Sequence, residues 1–161
     1  MTLKHIAQFG NVQMNTSAVS VVIPAYNEEE NIEDILLRTN ATLEMIGVPY
    51  EVIVVDDGSV DETRFMAMKH KATVLSNGTN RGKGYALKKG MQNANGNVLI
   101  TMDADGSHRP EEIPKLLVPL LNGADVVFGS RFIGKREQDS TKKLHIFGNK
   151  LFNLLIALLT G

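Results

Sequence analysis

Runs of buried, β-branched residues that stop abruptly at polar residues recur along this chain, and they constrain its fold more than any other feature. Each run is too short for a helix and is rich in residues that favour strands. Segments with helical periodicity separate the runs, and strands that alternate with helices are typical of a parallel sheet covered by helices. The sequence therefore predicts an α/β domain with a Rossmann-like, doubly wound, mostly parallel sheet. The three clearest runs are Val19–Ile23, Tyr50–Val55 and Val98–Met102.

Carboxylates follow two of these runs directly. Asp56 and Asp57 end the second run, and Asp103 and Asp105, one residue apart, end the third. In a parallel sheet with right-handed crossovers the carboxyl ends of the strands share one edge, and open α/β sheets bind ligands there. Carboxylate oxygens suit Mg2+ or Mn2+, which bind such groups together with substrate phosphates. The residues alone leave open the alternative that both are acidic strand-to-loop turns.

Two capping boxes mark the starts of predicted helices. Asn27 is the N-cap of the first box with Glu30 three residues on, and Ser59 and Glu62 have the same spacing in the second. Apolar residues follow the first box at helical spacing, as expected of an amphipathic helix. The predicted helices are 32–47, 60–71, 85–95 and a segment within 109–122 that Pro119 should kink or shorten. The remaining predicted strands are 73–75 and Asp125–Gly129.

The segment that follows the first run carries three consecutive glutamates at positions 28–30. Negative charge at a helix N-terminus suits the helix dipole, but it disfavours a phosphate at the same place. If this loop contacts a nucleotide, we expect it to contact the base or the ribose, with Tyr26 as a stacking surface. A well-capped helix start without a ligand is the alternative.

A glycine-punctuated basic loop, Asn77–Gly84, precedes the third predicted helix. Its spacing fits neither the G-x-x-x-x-G-K-[ST] phosphate loop nor the G-x-G-x-x-G dinucleotide fingerprint. A flexible loop with the two cations Arg81 and Lys83 beside a cleft of carboxylates suits a sugar diphosphate. A solvated turn with both cations on its rim is the alternative.

Composition narrows the function classes. The chain has 161 residues and a net charge of -1, which gives no electrostatic case for nucleic-acid binding. It has no cysteine, which excludes disulfides, zinc-thiolate sites and thiol nucleophiles. We expect residues 1–18 to be a leader or disordered segment and residues 19–161 to form one domain.

The last part of the chain predicts a polar segment and an apolar tail. Residues 134–143 lack hydrophobic periodicity and are predicted to be a mobile lid. The apolar run at 151–159 is too short for a membrane span, which needs about 20 residues, so we expect a core helix or an interfacial helix. The chain ends while it is still hydrophobic, as expected of a domain truncated at its C-terminal side.

Taken together, these residues resemble the family-2 glycosyltransferases, the GT-A-fold enzymes that use nucleotide-sugar donors. Within that family they resemble most the dolichyl-phosphate mannose and glucose synthases. The resemblance covers residues 19–161, and its strength lies in the order and spacing of five motifs. The motifs are V-S-V-V-I-P-A-Y-N-E-E at 19–29, V-I-V-V-D-D-G-S at 52–59, N-R-G-K-G at 80–84, M-D-A-D at 102–105 and G-S-R-F at 129–132.

The resemblance implies a set of residues that bind the nucleotide-sugar. It assigns Pro24, Tyr26 and Glu28 to the nucleoside. It assigns Val55 and Asp57 to the base and ribose, with Asp56 close by. At the rest of the donor it places Lys83, Asp103, Ala104 and Arg131.

The resemblance also implies a metal site and catalytic residues. Asp103 and Asp105 would bind the divalent metal that bridges the diphosphate, and Ser107 lies where some relatives place another metal-coordinating side chain. Arg131 would meet the donor's diphosphate or the acceptor's phosphate, so that Asp105 and Arg131 are the implied catalytic residues. His108 is expected to be structural rather than a ligand.

The activity implied is that of a metal-dependent inverting glycosyltransferase. It would move a hexose from GDP-mannose or UDP-glucose to a polyprenyl or dolichyl phosphate at the cytoplasmic face of a membrane, with Mg2+ or Mn2+ as cofactor. Transfer to an alcohol needs a carboxylate base, whereas a lipid phosphate is already an anionic nucleophile. The carboxylates after Arg131 are Glu137 and Asp139, both in the polar segment, which favours the lipid-phosphate acceptor.

Two other hypotheses compete with this one. A truncated or degenerate module would bind the nucleotide-sugar and transfer nothing. The family usually continues past a helix like 144–161 into an Asp-containing, glycine-aromatic-arginine motif, and this sequence ends before it. A nucleotidyltransferase would need a glycine-rich, basic triphosphate loop after the first strand, where this chain has three glutamates.

Overall fold

The structure is a computed structural model and describes residues 19–129. Within that range no helix has the length and apolar character that a membrane crossing requires. The predictions for residues 1–18, Arg131, 134–143 and the apolar tail lie outside the described residues. In chain order the elements are β1 (Val19–Ala25), α1 (Ile32–Ile46), β2 (Tyr50–Asp56), α2 (Thr63–Met68), β3 (Thr73–Ser76), α3 (Lys83–Gln92), β4 (Val98–Thr101), a 3-10 turn (Pro110–Glu112) and α4 (Ile113–Leu121).

The four strands form one parallel sheet in the order β3-β2-β1-β4. β1 is central, and its Val21 lies opposite Val52 of β2 and Ile100 of β4. The chain builds outward from β1 to β3 and then returns to place β4 on the other side of β1. This order confirms the predicted doubly wound sheet and creates a switch point between β1 and β4.

Helices pack on both faces of the sheet. The odd-numbered residues of β1 belong to a core that includes α1 and α4, whereas Val22 packs with Ala86 of α3 on the opposite face. Because both faces are covered, the sequence of β1 is nearly continuously apolar rather than alternating. A Cβ at Gly90 of α3 would overlap the Val22 side chain and lie 3.0 Å from Cγ2 of Val55. The backbone of α3 therefore rests directly on β1 and β2.

Both predicted capping boxes are wrong. Asn27 adopts a left-handed φ of 55° and lies outside the helix, because α1 begins at Ile32 after Asn31. Ser59 likewise lies outside α2, which begins at Thr63 rather than at 60 and ends at Met68 rather than near 71. Neither helix has a side-chain hydrogen bond at its N-cap. The side chains of Asn27 and Ser59 instead accept hydrogen bonds from backbone N–H groups of the opposite loop.

The predicted strand Asp125–Gly129 is also wrong, because these residues form neither strand nor helix. Val126 is 66% exposed and Phe128 is 87% exposed, so the side chains of this run are not those of a buried strand. A strand is stabilised by backbone hydrogen bonds to a neighbouring strand, and a β-branched composition alone does not provide these bonds. Of the described residues, Val126–Gly129 belong to a second compact unit.

Two prolines within the elements differ in their effect, since Pro24 does not end its strand as predicted and Pro119 lies close to the end of its helix. β1 continues past its predicted end through Pro24 to Ala25, with Pro24 opposite Val55 in the ladder. Pro119 lies inside α4, and that helix ends two residues later at Leu121. A helix that stops within one turn of an internal proline agrees with the predicted shortening.

Candidate functional site

A cleft of about 290 Å³ opens at the carboxyl edge of the sheet, where the strand order reverses. The loops after β1, β2 and β4 converge there with the start of α3. Open α/β sheets bind ligands at such switch points. The two acidic strand ends do meet at this edge, since one aspartate of the first and both aspartates of the second line the cleft. The lining residues are Pro24, Ala25, Tyr26, Glu28, Asp57, Asn80, Gly82, Lys83, Ala86, Asp103, Ala104 and Asp105.

Five hydrogen bonds join the loop after β1 to the loop after β2. In three of them a backbone N–H of the first loop donates to a side chain of the second, and in two the direction is reversed. The first three are Asn27 N to Ser59 Oγ (3.0 Å), Glu28 N to Thr63 Oγ1 (2.7 Å) and Glu29 N to Asp61 Oδ2 (3.2 Å). The reversed pair are Val60 N to Asn27 Oδ1 (3.0 Å) and Glu62 N to Glu29 Oε2 (3.0 Å). These bonds define the loop pair, residues 27–29 and 59–63, which fixes the first loop beside the cleft.

The first loop presents an aromatic ring and a carboxylate to the cleft. Tyr26 is 44% exposed, and Glu28 accepts a hydrogen bond from Nδ2 of Asn31 at 2.9 Å. Pro24 lies beside them in the lining. A half-exposed ring next to a carboxylate can stack on a base and accept hydrogen bonds from ribose hydroxyls.

Asp57 is buried and holds the basic loop in place. Its carboxylate accepts bonds from Nδ2 of Asn77 (2.6 Å) and from the backbone N–H groups of Gly82 (2.7 Å) and Arg81 (3.1 Å). Burial alone would raise the pKa of Asp57, but the bond from Asn77 and the two backbone bonds outweigh it and hold the pKa below its ordinary value. Asp57 is therefore charged near neutral pH, and its carboxylate fixes the conformation of the basic loop.

Asp56 and Val55 lie behind the cleft rather than in its lining. Asp56 is 2% exposed and accepts bonds from the N–H of Ser59 (3.0 Å) and the hydroxyl of Ser76 (3.1 Å). Val55 is fully buried in the core under α3. Both residues support the loop on which Asp57 stands.

The loop after β4 brings Asp103 and Asp105 to the opposite wall. The N–H of Asp103 donates to Nδ1 of His108 at 2.9 Å, and the N–H of Ser107 donates to Oδ1 of Asp105 at 2.9 Å. These bonds make a compact turn whose carboxylates border the cleft, while the buried Ala104 lies between them. Ser107 is exposed and is not part of the lining.

The two cations of the basic loop point in different directions. Nζ of Lys83 lies 2.5 Å from Oδ1 of Asp103, across the cleft. The Arg81 guanidinium stacks 4.6 Å from the ring centroid of Tyr85 and donates to its hydroxyl at 2.6 Å. Of this pair, Lys83 is in the lining and Arg81 is not.

The donor atoms at Asp103 and Asp105 fit a hard divalent cation. Within residues 19–129, no three histidine or acidic side chains form a group able to hold a metal. Mg2+ commonly takes one or two carboxylates and completes its shell with substrate phosphates and water. Two carboxylates one residue apart on a cleft wall match that arrangement. The hydroxyl of Ser107 is a weaker ligand type.

Sequence reasoning missed several residues that shape this site. Asn80 lines the cleft, and its side chain accepts a bond from the N–H of Gly82 at 3.1 Å. Asn77 holds Asp57, and Thr63 holds the Glu28 backbone. The two asparagines of the basic loop, one and two residues before a glycine, were a usable signal for the first two. The role of Thr63 depends on a partner 35 residues away, which no local pattern reveals.

The fold and site define a doubly wound domain with an acidic cleft at its switch point, and comparisons with known proteins agree. The model of the family described as Glycosyl transferase family 2 matches residues 20–160. The chain therefore belongs to glycosyltransferase family 2, and its fold is the GT-A fold of that family.

Two curated relatives are named as dolichol-phosphate and undecaprenyl-phosphate transferases. The chain is 40% identical over 119 residues to a dolichol-phosphate mannosyltransferase of Pyrococcus furiosus, covering 71% of this chain and 33% of that protein. It is 41% identical over 150 residues to an undecaprenyl-phosphate 4-deoxy-4-formamido-L-arabinose transferase of Pectobacterium carotovorum, covering 89% and 44%. The chain thus spans less than half the length of either relative.

A solved structure supports the fold directly. Glucosyl-3-phosphoglycerate synthase from Mycobacterium tuberculosis, in complex with Mn2+, UDP and phosphoglyceric acid, matches with a TM-score of 0.62 and 29% identity. The match covers 76% of this chain and 44% of that chain. The same synthase has also been solved with Mg2+ and UDP, again with a TM-score of 0.62.

Proposed function

We propose that this chain is the donor-binding part of a metal-dependent, inverting glycosyltransferase. It would move a hexose from GDP-mannose or UDP-glucose to a polyprenyl phosphate at the cytoplasmic face of a membrane. The observation that carries the proposal is that one cleft at the switch point holds both an aromatic–carboxylate wall and an Asp-x-Asp wall. The printed names of the relatives, which include dolichol-phosphate and undecaprenyl-phosphate transferases, support the acceptor class.

The two walls divide the work of binding the donor. Tyr26, Glu28 and Pro24 would bind the nucleoside on one wall, beside the loop that Asp57 holds. Asp103 and Asp105 would hold Mg2+ or Mn2+ on the other, with Ala104 against the donor. When bound, the cation supplies Lewis-acid stabilisation of the charge that grows on the departing nucleoside diphosphate. His108 keeps the Asp103 backbone in place through its Nδ1.

Transfer to a lipid phosphate requires fewer catalytic groups from the protein than transfer to an alcohol. The phosphate oxygen is already anionic, so the protein must position it on the face of the sugar opposite the leaving diphosphate and need not remove a proton. Arg131 is proposed to meet this phosphate or the diphosphate. Its guanidinium can form two parallel hydrogen bonds to phosphate oxygens.

Calorimetry with Mn2+ present tests the donor site. Asp103→Ala and Asp105→Ala should each weaken binding of the donor nucleotide at least tenfold, because each removes a proposed ligand to the bridging cation. Glu44→Ala is the matched control, since Glu44 lies on α1 and pairs with Lys71 away from the cleft. Unchanged affinity in both aspartate variants would contradict the proposal. Thermal shifts with UDP-glucose, UDP-N-acetylglucosamine and GDP-mannose, with and without Mn2+, would identify the donor.

A second candidate function is a donor-binding module that transfers nothing. It is favoured by one observation, that the cleft-lining residues with a proposed role are all assigned to the donor. Incubation with radiolabelled donor and a polyprenyl phosphate separates the two candidates. Labelled lipid product that disappears in Asp105→Ala supports the transferase. Tight, Mn2+-dependent donor binding without any labelled lipid supports the binding module.

A further inference from the structure

The Lys83–Asp103 ion pair connects the start of α3 to the Asp-x-Asp wall of the cleft. Nζ of Lys83 lies 2.5 Å from Oδ1 of Asp103, and the side chains are 59% and 24% exposed. The pair therefore places a monovalent cation on a carboxylate that the proposed function assigns to a divalent one. Two cations close to the same oxygen repel each other, and the repulsion is stronger where the carboxylate is partly buried.

The backbone of Lys83 is fixed, so its side chain is the part that can move. Lys83 is the first residue of α3, and the N–H groups of the two residues before it donate to the buried carboxylate of Asp57. The four-carbon stem of a lysine is flexible, and its ammonium is a compact point charge that can change partners. Arg81 differs in this respect, because its guanidinium is already held on Tyr85.

We propose that Lys83 competes with the divalent cation for Asp103 and moves to the donor's diphosphate when that cation binds. The inference rests on the proposed function, and it adds a mechanism by which the site couples its two ligands. If the cation bound alone, the Lys83 ammonium would lose Asp103 and gain no new partner. If a diphosphate bound with it, the ammonium would gain a new partner within the same cleft. Lys83 therefore makes binding of cation and diphosphate cooperative.

The expected change in Mn2+ affinity follows from the exposure of the Lys83–Asp103 pair. Partly exposed ion pairs contribute little free energy, so removal of the ammonium should strengthen binding of Mn2+ alone by about three- to fivefold. The same removal takes one positive charge from the diphosphate site. We expect it to weaken binding of UDP at saturating Mn2+ by about fivefold or more. A change of opposite sign in the two affinities distinguishes competition from a simple loss of structure.

The experiment compares the 161-residue chain with Lys83→Met and Arg81→Met. Binding of Mn2+ alone is followed by the electron paramagnetic resonance signal of the free ion, and binding of UDP at saturating Mn2+ by calorimetry. Lys83→Met should bind Mn2+ more tightly and UDP more weakly than the parent chain. Arg81→Met removes a cation from the same loop but not from the cleft, so both affinities should stay near those of the parent chain.

Two results would overturn the inference. The first is an affinity for Mn2+ alone that is unchanged or weaker in Lys83→Met. The second is an equal gain in Arg81→Met, which would assign the effect to net charge rather than to the contact with Asp103. In both cases the proposed function survives if UDP still binds with Mn2+ and Asp103→Ala abolishes that binding. Failure of the parent chain to bind Mn2+ or UDP would overturn both proposals.

Discussion

The two acidic strand ends of this protein have similar sequences and opposite surroundings. After β2, Asp56 and Asp57 are 2% and 3% exposed, and their oxygens accept hydrogen bonds from neighbouring loops. After β4, the Asp103 side chain is 24% exposed and its carboxylate meets a flexible lysine across the cleft. The first pair of acids supports the basic loop beside the cleft, and the second presents its carboxylates at the cleft. Identical residue types at equivalent junctions therefore differ in burial and bonding according to the partners around them.

Removal of each carboxylate should separate these roles most clearly. Asp57→Ala leaves the donors of Asn77 and Arg81 without this acceptor and leaves Gly82 with Asn80 alone. Loss of this partly buried network should cost about 3 kcal/mol of unfolding free energy. Asp103→Ala removes a partly exposed ion pair and should change the unfolding free energy by about 0.5 kcal/mol or less. Urea unfolding of the two variants measures the difference. Equal destabilisation would show that the contrast in surroundings has no energetic counterpart.

A glycine next to Asp57 tests how tightly the architectural side is packed. Gly58 has a φ of 80°, and a Cβ there would lie 2.5 Å from the carbonyl carbon of Thr79. Gly78 has a φ of 72° with open space around it. Gly58→Ala should therefore cost about 2–3 kcal/mol and Gly78→Ala about 1 kcal/mol in urea unfolding, because only the first adds a steric clash to backbone strain. Similar values for both would mean that the two loops separate easily.

Asn27 offers a smaller test of the same wall. Its Oδ1 accepts the N–H of Val60, and its φ of 55° is unfavourable for residues with a Cβ. Asn27→Gly loses the hydrogen bond but relieves the backbone, whereas Asn27→Ala loses the bond and keeps the strain. Thermal unfolding should therefore rank the parent chain above Asn27→Gly, and Asn27→Gly above Asn27→Ala by about 1 kcal/mol. The reverse ranking of the two variants would contradict a left-handed conformation at this residue.

A lower pH should reduce the difference in unfolding free energy between the parent chain and Asp57→Asn. The pKa of Asp57 lies below its ordinary value of 3.8 in the folded chain. Its contribution to stability is therefore present above that ordinary value and is lost as the pH falls through the folded pKa. Urea unfolding at pH 7, 5 and 3 should show a constant gap at the two higher values and a smaller gap at pH 3. A gap that is the same at all three would show that the charge of Asp57 does not matter.

The sequence predicts the sheet well because its signals are local. Most residues of Val19–Ala25 and the last five of Tyr50–Asp56 are buried, and nearly continuous apolar runs in the sequence encode this burial. The convergence of Asp57 and Asp103 on one edge also follows from the sequence, since parallel topology forces it. These predictions depend on composition within a few residues and on a general rule of chirality.

The parts that failed depend on partners distant in the chain. Asn27 and Ser59 have the residue types of helix caps, but the partners of their side chains lie 33 and 32 residues away in the opposite loop. The burial and bonding of Asp57 depend in the same way on Asn77 and Gly82, which lie 20 and 25 residues from it. The run at Asp125–Gly129 has strand-forming residues, but no ladder forms there in residues 19–129. Local chemistry identifies polar groups, and tertiary contacts decide what they bond to.

The absence of a side chain at Gly90 sets a distance at the other end of the same helix. Because α3 rests on Val22 and Val55 there, the height of the helix above the sheet is determined by bare backbone. Lys83 starts that helix, about 10 Å away at 1.5 Å per residue. An added methyl group at Gly90 would push against Val22 and Val55 and so act on the helix that carries Lys83. The position of the Lys83 ammonium in the cleft is thus linked to a residue seven positions away that is not part of the cleft lining.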